Sequence, residues 1–407
     1  MVGAPSNSPF SRLFRPEFAF VLIVLMGAGR LLTYLVMMVQ GGDDFHVAGD
    51  FVAFWTAARE TLQGEIVGLY AREGLMAGMA EHWPKTSDIG LTWQYPPHST
   101  LIFTPLGLLP FYVAFAVWTA LGLCMYAMAL RQIRITGSAL LALLATSVVF
   151  IAIITGQNGL FTAALMIVAV VHADKRPLLA GLAAALLTIK PQLGFLLPLA
   201  FIAGGAWRTA AYAALGSLLL WGSSFAFLGL EPWRAFLGSV TSVAGTVDEG
   251  VMPLYKMVNV YSAARLAGIP TELALGLYGA TVVLLIAATS WVWHRTEDIE
   301  LRLAAICGGT LMVAPYAFYY ELSILLPAVF IMARRGFEHG WLSLEREILA
   351  ALVVLSLLLP GPIIQSGVSY SFIVVLLSAV LIARRLHAEL RFQSDIGSDL
   401  TKAGAHA

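Results

Sequence analysis

Asp50 stands in Gly49-Asp50-Phe51-Val52-Ala53-Phe54-Trp55, an acid set between a glycine and an aromatic run. Two readings compete for it. An aspartate just ahead of a helix-periodic apolar stretch is a helix N-cap. A carboxylate at an apolar boundary also has a raised proton affinity, which suits it to take the proton of an attacking hydroxyl. Asp43, Asp44 and His46, just upstream after Gly41-Gly42, read as solvated loop residues. Lys190, in Lys190-Pro191-Gln192, is the costliest charge in the chain if it sits at membrane depth, about 2.5–3.5 kcal/mol on insertion scales. It either snorkels to the headgroups or meets an anion such as a phosphate. Glu321 closes Pro315-Tyr316-Ala317-Phe318-Tyr319-Tyr320-Glu321. There it either caps the next helix or joins Tyr316 and Tyr320 in an aromatic platform for the apolar face of a sugar. Gly156-Gln157-Asn158-Gly159 is a tight turn by residue type, with two side-chain amides able to bind hydroxyls. Lys256 and Arg265 lie in a second polar segment, where a solvated or headgroup-facing role is the default.

The elements that must position these groups belong to a membrane protein. Of 407 residues, 59% are hydrophobic and 12% charged, and mean hydropathy is +0.82. Soluble domains carry about a quarter charged residues. Net charge is zero, so no basic excess points to nucleic acid. Cys124 and Cys307 both fall inside apolar runs, which argues against a disulfide framework or a thiolate metal site. No Walker A loop, dinucleotide GxGxxG or HExxH motif occurs, which disfavours an ATP-driven pump or a soluble-cofactor enzyme. Neither a cofactor nor a metal is expected.

Apolar windows recur at about 17–39, 111–131, 138–155, 158–173, 177–190, 192–204, 207–229, 271–294, 300–318, 320–334, 347–364 and 368–386. The pattern predicts an all-α polytopic protein with about twelve passes. The run from Glu17 to Val39 reads as a retained span, and 1–16 and 387–407 as polar, poorly ordered tails around a single transmembrane domain, 17–386. Windows 177–190 and 192–204 each reach only about 20 Å against a hydrocarbon core of about 30 Å. They predict two short helices, or a re-entrant hairpin, with Lys190 at the tip. Arg131, Arg134, Lys175, Arg176, Arg334, Arg335, Arg384 and Arg385 collect on one side. By the positive-inside rule that side, with both termini, is cytoplasmic. The long segments about 40–98 and about 230–270 then lie outside. Phe51, Phe54, Trp55, Ala58 and Leu62 share one helical face, with Arg59, Glu60 and Gln63 on another, and predict an amphipathic helix on the membrane surface.

Taken in order, Asp50-Phe51 with Phe54-Trp55 and Ala57-Ala58, then Gly64, Tyr70, Tyr95-Pro96-Pro97, Gly156-Gln157-Asn158, Lys190-Pro191-Gln192 and the Pro315 to Glu321 stretch resemble glycosyltransferase family 87. The resemblance implies a C-type glycosyltransferase fold and a polyprenyl-phosphate sugar donor, as in alpha-mannosyltransferases. It implies that Asp50 is the catalytic base. Relatives often carry a histidine after the proline and an aspartate after the tyrosine, where Tyr316 and Glu321 stand here, so no role for that histidine carries over. The chemistry is self-consistent: a sugar phosphate leaves as a stabilised anion, so one base on the acceptor plus cations on the phosphate can suffice. A single displacement inverts the anomeric carbon. Lys190, Lys256, Arg265 and Arg59 are candidate phosphate partners. Glu321, Tyr320, Tyr316, Gln157, Asn158, Trp55 and Tyr95 are candidates for sugar or acceptor. The expected partners are the donor, a lipid-linked or glycan acceptor and membrane lipid. The expected location is a bacterial inner membrane with the site facing outward. A transporter or lipid flippase, and a scaffold protein, are the competing classes.

Overall fold

The computed structural model describes residues 16–41, 49–82, 91–248, 254–358 and 369–404. Asp43, Asp44, His46 and the part of window 347–364 beyond residue 358 lie outside the described residues. Helix α1 (Pro16–Gly41) leads to α2 (Phe51–Gln63), a 3-10 turn at Ile66–Tyr70 and α3 (Arg72–His82). The short α4 (Pro97–Phe103) continues through the turn Thr104–Leu108 into α5 (Phe111–Gln132), and the pair α6 (Gly137–Leu144) and α7 (Ser147–Thr155) precedes α8 (Gly159–Val171). Next come α9 (Pro177–Leu186), the turn Leu187–Ile189, α10 (Pro191–Gly194) and α11 (Leu196–Ala203), then α12 (Trp207–Leu228) and α13 (Glu231–Asp248). The turn Leu254–Lys256 and α14 (Val260–Leu266) lead to α15 (Thr271–Arg295) and α16 (Ile299–Val313). The turn Tyr319–Ile324, α17 (Leu325–His339), α18 (Glu345–Leu358) and α19 (Tyr370–Gly404) complete the chain. Among the described residues the only β pairing is the antiparallel bridge Met257 to Phe318.

Helix occupies most of the described part of every apolar window, ending at Val313 in the window 300–318, but a helix is not a pass. Among the described residues, four helical stretches are long and apolar enough to cross a membrane: Phe111–Gln132, Trp207–Leu228, Thr271–Arg295 and Tyr370–Arg391. A fifth is added if α6 and α7, bent by 53°, form one broken span. By length and composition the described residues thus show four or five spans, and the expectation of about twelve passes is not confirmed. The reason is visible in α16: nearly every residue from Glu300 to Val313 is buried by protein, so its apolar run answers to the core. By contrast Leu215, Leu218 and Leu219 on α12 and Val283 and Leu284 on α15 are exposed, an apolar outer face that suits lipid. Helix α19 also runs to Gly404, through residues expected to form a disordered tail.

Residues 177–203 form the anticipated pair of short helices, and the packing makes them a hairpin. Its feet meet at one end of the bundle: Thr209 Oγ1 donates to the Ala173 carbonyl at 2.5 Å, and Arg302 Nη1 pairs with Asp174 at 2.9 Å while packing against Gly204. Its break is built by Pro191, which opens α10, and its first arm packs on α12 without large side chains in the way. A Cβ on Gly181 would meet the Tyr212 Cβ at 2.4 Å and one on Gly216 the Ala185 Cβ at 2.8 Å, so α12 lies directly against α9. At the foot of the hairpin also lies a network of ion pairs. Arg335 joins Asp298 at 2.5 Å and Glu389 at 3.2 Å, Arg334 joins Glu300 at 2.5 Å, and Arg385 joins Glu345. Lys190 stands at the other end.

The predicted surface helix is a correction. In α2 the residues Phe51 to Ala58 are almost all buried, Glu60 is buried too, and Leu62 of the supposed membrane face is exposed. The helix is wrapped by an aromatic cluster in which Phe54 packs on Trp93, Tyr95, Phe103 and Trp118, with centroids 5.1–5.8 Å apart. Protein, not lipid, covers its apolar side.

Candidate active site

Asp50 is not held as a helix cap. Its side chain makes no capping bond to α2. Instead its backbone N–H donates to the Thr155 carbonyl at 3.2 Å, and Gln157 Nε2 donates to its Oδ2 at 2.9 Å. The other carboxylate oxygen takes no hydrogen bond from the described residues, and the residue keeps partial exposure. That leaves one carboxylate oxygen able to accept a further hydrogen bond.

The turn carrying Gln157 is shaped by Gly156, which sits at φ +68°, ends α7 and gives its carbonyl to Trp118 Nε1 at 2.9 Å. A Cβ there would lie 2.5 Å from the Cβ of Phe51, the residue after Asp50. Gly156→Ala is therefore expected to destabilise by roughly 2–3 kcal/mol, combining a disfavoured φ with overpacking. A lower thermal midpoint in lipid would register it, and an unchanged midpoint would show that the turn has room to move.

Lys190 is buried rather than snorkelling. Its Nζ donates to Glu321 Oε1 at 2.6 Å, and the rings of Tyr95 and Tyr320 stand 5.4 and 5.3 Å from the ammonium. Glu321 is held from its other side, where Oε2 accepts from the Phe318 backbone N–H at 2.7 Å. Glu321 thus caps its own 3-10 turn rather than the next helix. The turn can approach because Gly159 faces it. A Cβ on Gly159 would fall 2.5 Å from the Tyr320 carbonyl. Lys256 arrives through a third segment, stitched alongside by Val258 N–H to the Ala317 carbonyl at 3.0 Å and Asn259 Nδ2 to the Pro315 carbonyl at 2.7 Å.

Electrostatically these groups form one centre. Burial pushes the Asp50 carboxyl above the usual carboxylate range, against the Gln157 hydrogen bond and the positive charges of Lys256 and Lys190. The Asp50 charge in turn reaches Tyr95, Tyr319 and Tyr320, whose phenols burial pushes upward.

Several expected members stand apart. Arg59 lies over the Trp55 ring of its own helix, 5.0 Å from the centroid, and Arg265 Nη1 donates to the Ile269 carbonyl at the end of α14, 3.0 Å away. Neither joins Asp50 and the two lysines among the described residues, so the four phosphate candidates reduce to Lys190 and Lys256. Trp55 is a packing residue, buried with its Nε1 on the Leu109 carbonyl at 3.0 Å. Asn158 is fully buried. Tyr316 is half-buried and its neighbour is Tyr278, not Asp50.

Two residues were missed. Tyr319 lies inside the aromatic stretch already singled out, and its nearness to Asp50 needed the fold. His98 is buried, stacks on Trp233, and meets Thr188 Oγ1 through Nε2 at 3.1 Å. The Thr188 hydroxyl already donates to the Ala185 carbonyl, so His98 must be the donor. Burial pushes this imidazole down to about 4, which keeps it neutral where it braces the turn two residues before Lys190. The Pro97-His98 sequence carried that signal, as a polar ring in an apolar run.

Residues 93–315, more than half of the chain, match the model of glycosyltransferase family 87. An all-helical protein with membrane-length apolar helices that matches this family's model is a membrane-embedded transferase by class. The chain belongs to glycosyltransferase family 87. The match includes Tyr95, Gln157, Lys190 and Lys256 but stops short of Asp50 on one side and Glu321 on the other, a narrower reach than the Asp50 to Glu321 resemblance. Neither a curated protein nor a solved structure matches the chain.

Proposed function

We propose that this glycosyltransferase moves a sugar, with mannose the first to test, from a polyprenyl-phosphate donor to a lipid-linked or cell-envelope glycan acceptor, with inversion. The observation that carries the reading is the Asp50 carboxylate, held by Gln157, with one oxygen unbonded among the described residues and two lysines within electrostatic reach. Asp50 takes the acceptor hydroxyl proton, the oxygen attacks the anomeric carbon, and the lipid phosphate leaves toward Lys190 and Lys256. Tyr95 and Tyr320, beside Lys190, offer ring faces to the sugar. In this reading the fold is of the C-type, the site opens to the outer face of an inner membrane, and the ion-pair network lies on the cytoplasmic side. A polyprenyl chain is recognised by burying its methylenes, each worth about 0.8 kcal/mol. The transporter alternative lacks a supporting observation of its own.

The test is transfer from a radiolabelled polyprenyl-phosphate mannose by the purified protein in lipid, with membrane glycolipid extract as acceptor, followed across pH. The rate should rise with pH along a limb above the ordinary carboxylate range, about 4, because the base must be charged and burial opposes its charging. Stability carries the opposite sign: protonated Asp50 favours the fold at low pH, and that contribution is lost as pH rises through its native titration. A rate limb at pH 4 or below would contradict a desolvated base, and no transfer from any polyprenyl-phosphate sugar would sink the donor assignment.

A further inference from the structure

Gln157 commits one end of its amide to Asp50. A carboxylate only accepts, so Nε2 must face it and Oε1 must face away. That oxygen is buried without a hydrogen-bond partner. The same holds for Oγ1 of Thr119 on α5. A helical threonine ordinarily returns its hydroxyl to a carbonyl one turn back. Thr61, Thr104 and Thr155 do so here, at 2.6–2.8 Å, whereas Thr119 does not. Gln157 and Thr119 line the same small cavity, walled otherwise by Trp118, Ile153, Leu160 and Phe161 and their neighbours. It has room for about one water-sized molecule.

Two unpartnered polar atoms on one water-sized space in an apolar wall make the arrangement by which structural water is retained. We propose that this cavity binds a single water molecule bridging Thr119 Oγ1 and Gln157 Oε1, and that Thr119 is thereby a positioning residue for Asp50. The water donates to Oε1 and engages the threonine hydroxyl with its remaining capacity. With Oε1 satisfied, the amide holds its Nε2 on the carboxylate. A flipped amide would set its oxygen against the Asp50 charge and leave its NH2 in the cavity. The role in catalysis rests on Asp50 being the base; the water site does not.

The electrical consequence follows from the neighbours of Asp50. The Gln157 bond favours its charged form, as do Lys190 and Lys256. Glu321 is paired to Lys190, and Tyr95, Tyr319 and Tyr320 complete the surround. None of these residues lines the cavity. Losing the Thr119 hydroxyl therefore reaches Asp50 through Gln157 alone, and loosening that bond raises the proton affinity of the carboxyl.

A hydrophobic carbodiimide reacts with protonated carboxyl groups, so its labelling of Asp50 over a pH series, read by peptide mass, titrates the residue without any sugar substrate. In the full-length protein in lipid, Thr119→Val should move the labelling midpoint upward by about half a pH unit or more, roughly a threefold change in the ratio of charged to neutral carboxyl. Thr119→Ser, which keeps the hydroxyl, should return it to the wild-type value. Thr119→Ala removes the hydroxyl without β-branching and should match Val. Coincident midpoints in all four proteins would overturn the proposal. If neither Val nor Ala folds, a high-resolution map of the wild type decides: density within hydrogen-bond reach of both atoms supports the water, and none there refutes it. The transfer assay separates the two ideas. A midpoint that shifts in a protein without transferase activity keeps the water site and removes the proposed reaction; Asp50-dependent transfer with unmoved midpoints does the reverse.

Discussion

Asp50→Asn is expected to lower sugar transfer by about 10²–10⁴-fold, the usual contribution of a positioned base, while leaving the fold intact. The substitution keeps the size of the side chain and an oxygen that can accept from Gln157 Nε2, so the link between α2 and the Gly156 turn survives. What disappears is the capacity to take a proton. Asp50→Glu should also lose most activity despite keeping the carboxyl, because the added methylene carries it off the Gln157 amide. The measurement is initial transfer rate beside a thermal unfolding curve for each variant. A well-folded Asp50→Asn protein that retains full transfer would remove the base from this position. Glu321 would be a poor heir, since one of its oxygens binds Lys190 and the other the Phe318 N–H.

The second large effect concerns Lys190 and Glu321. Both are buried, and removing one partner of such a pair strands the other charge, at a typical cost of 3–5 kcal/mol. Lys190→Met is therefore expected to lower the unfolding midpoint sharply, and Glu321→Leu likewise. The double variant Lys190→Met/Glu321→Leu should recover most of the stability, since well-packed apolar replacements of buried pairs are often neutral. Transfer should not recover with it, because the leaving phosphate has lost a cation. Full activity in the stable double variant would show that the pair is architectural and would leave Lys256 as the phosphate partner. Recovery of neither property would point to a wider collapse around Tyr95 and Tyr320.

Much of this site was legible before the fold because polar groups are scarce in so apolar a chain. Asp50, Gln157, Lys190 and Glu321 each stood out against hydrophobic surroundings, and the structure gathers all four. Their pairings were not legible. Asp50 meets Gln157 across 107 residues and Lys190 meets Glu321 across 131, distances over which no local spacing rule operates. Arg59 and Arg265 were nominated by charge and predicted side, and both turn to their own helices. The apolar stripe of α2 was also visible, yet a stripe declares only that something covers it. Lipid and an aromatic protein core satisfy it equally, and here the core does. The same ambiguity attends the count of passes, since a buried helix such as α16 and one with an exposed apolar face such as α12 share a composition. The Lys190 hairpin was read correctly because length against bilayer thickness is a geometric test independent of what packs around it.

The span between Lys190 and Glu321 also bears on how the chain is made. Translation proceeds at about 5–20 residues per second, so the lysine leaves the ribosome on the order of ten seconds before its counter-ion exists. Throughout that interval the hairpin must shelter an uncompensated ammonium near water or headgroups. Its final seat against Tyr95 can be taken only after the segment following α16 has been delivered. Assembly at this end of the bundle is thereby ordered in time, and a truncation after α16 should leave the hairpin unseated even though every residue of the hairpin is present.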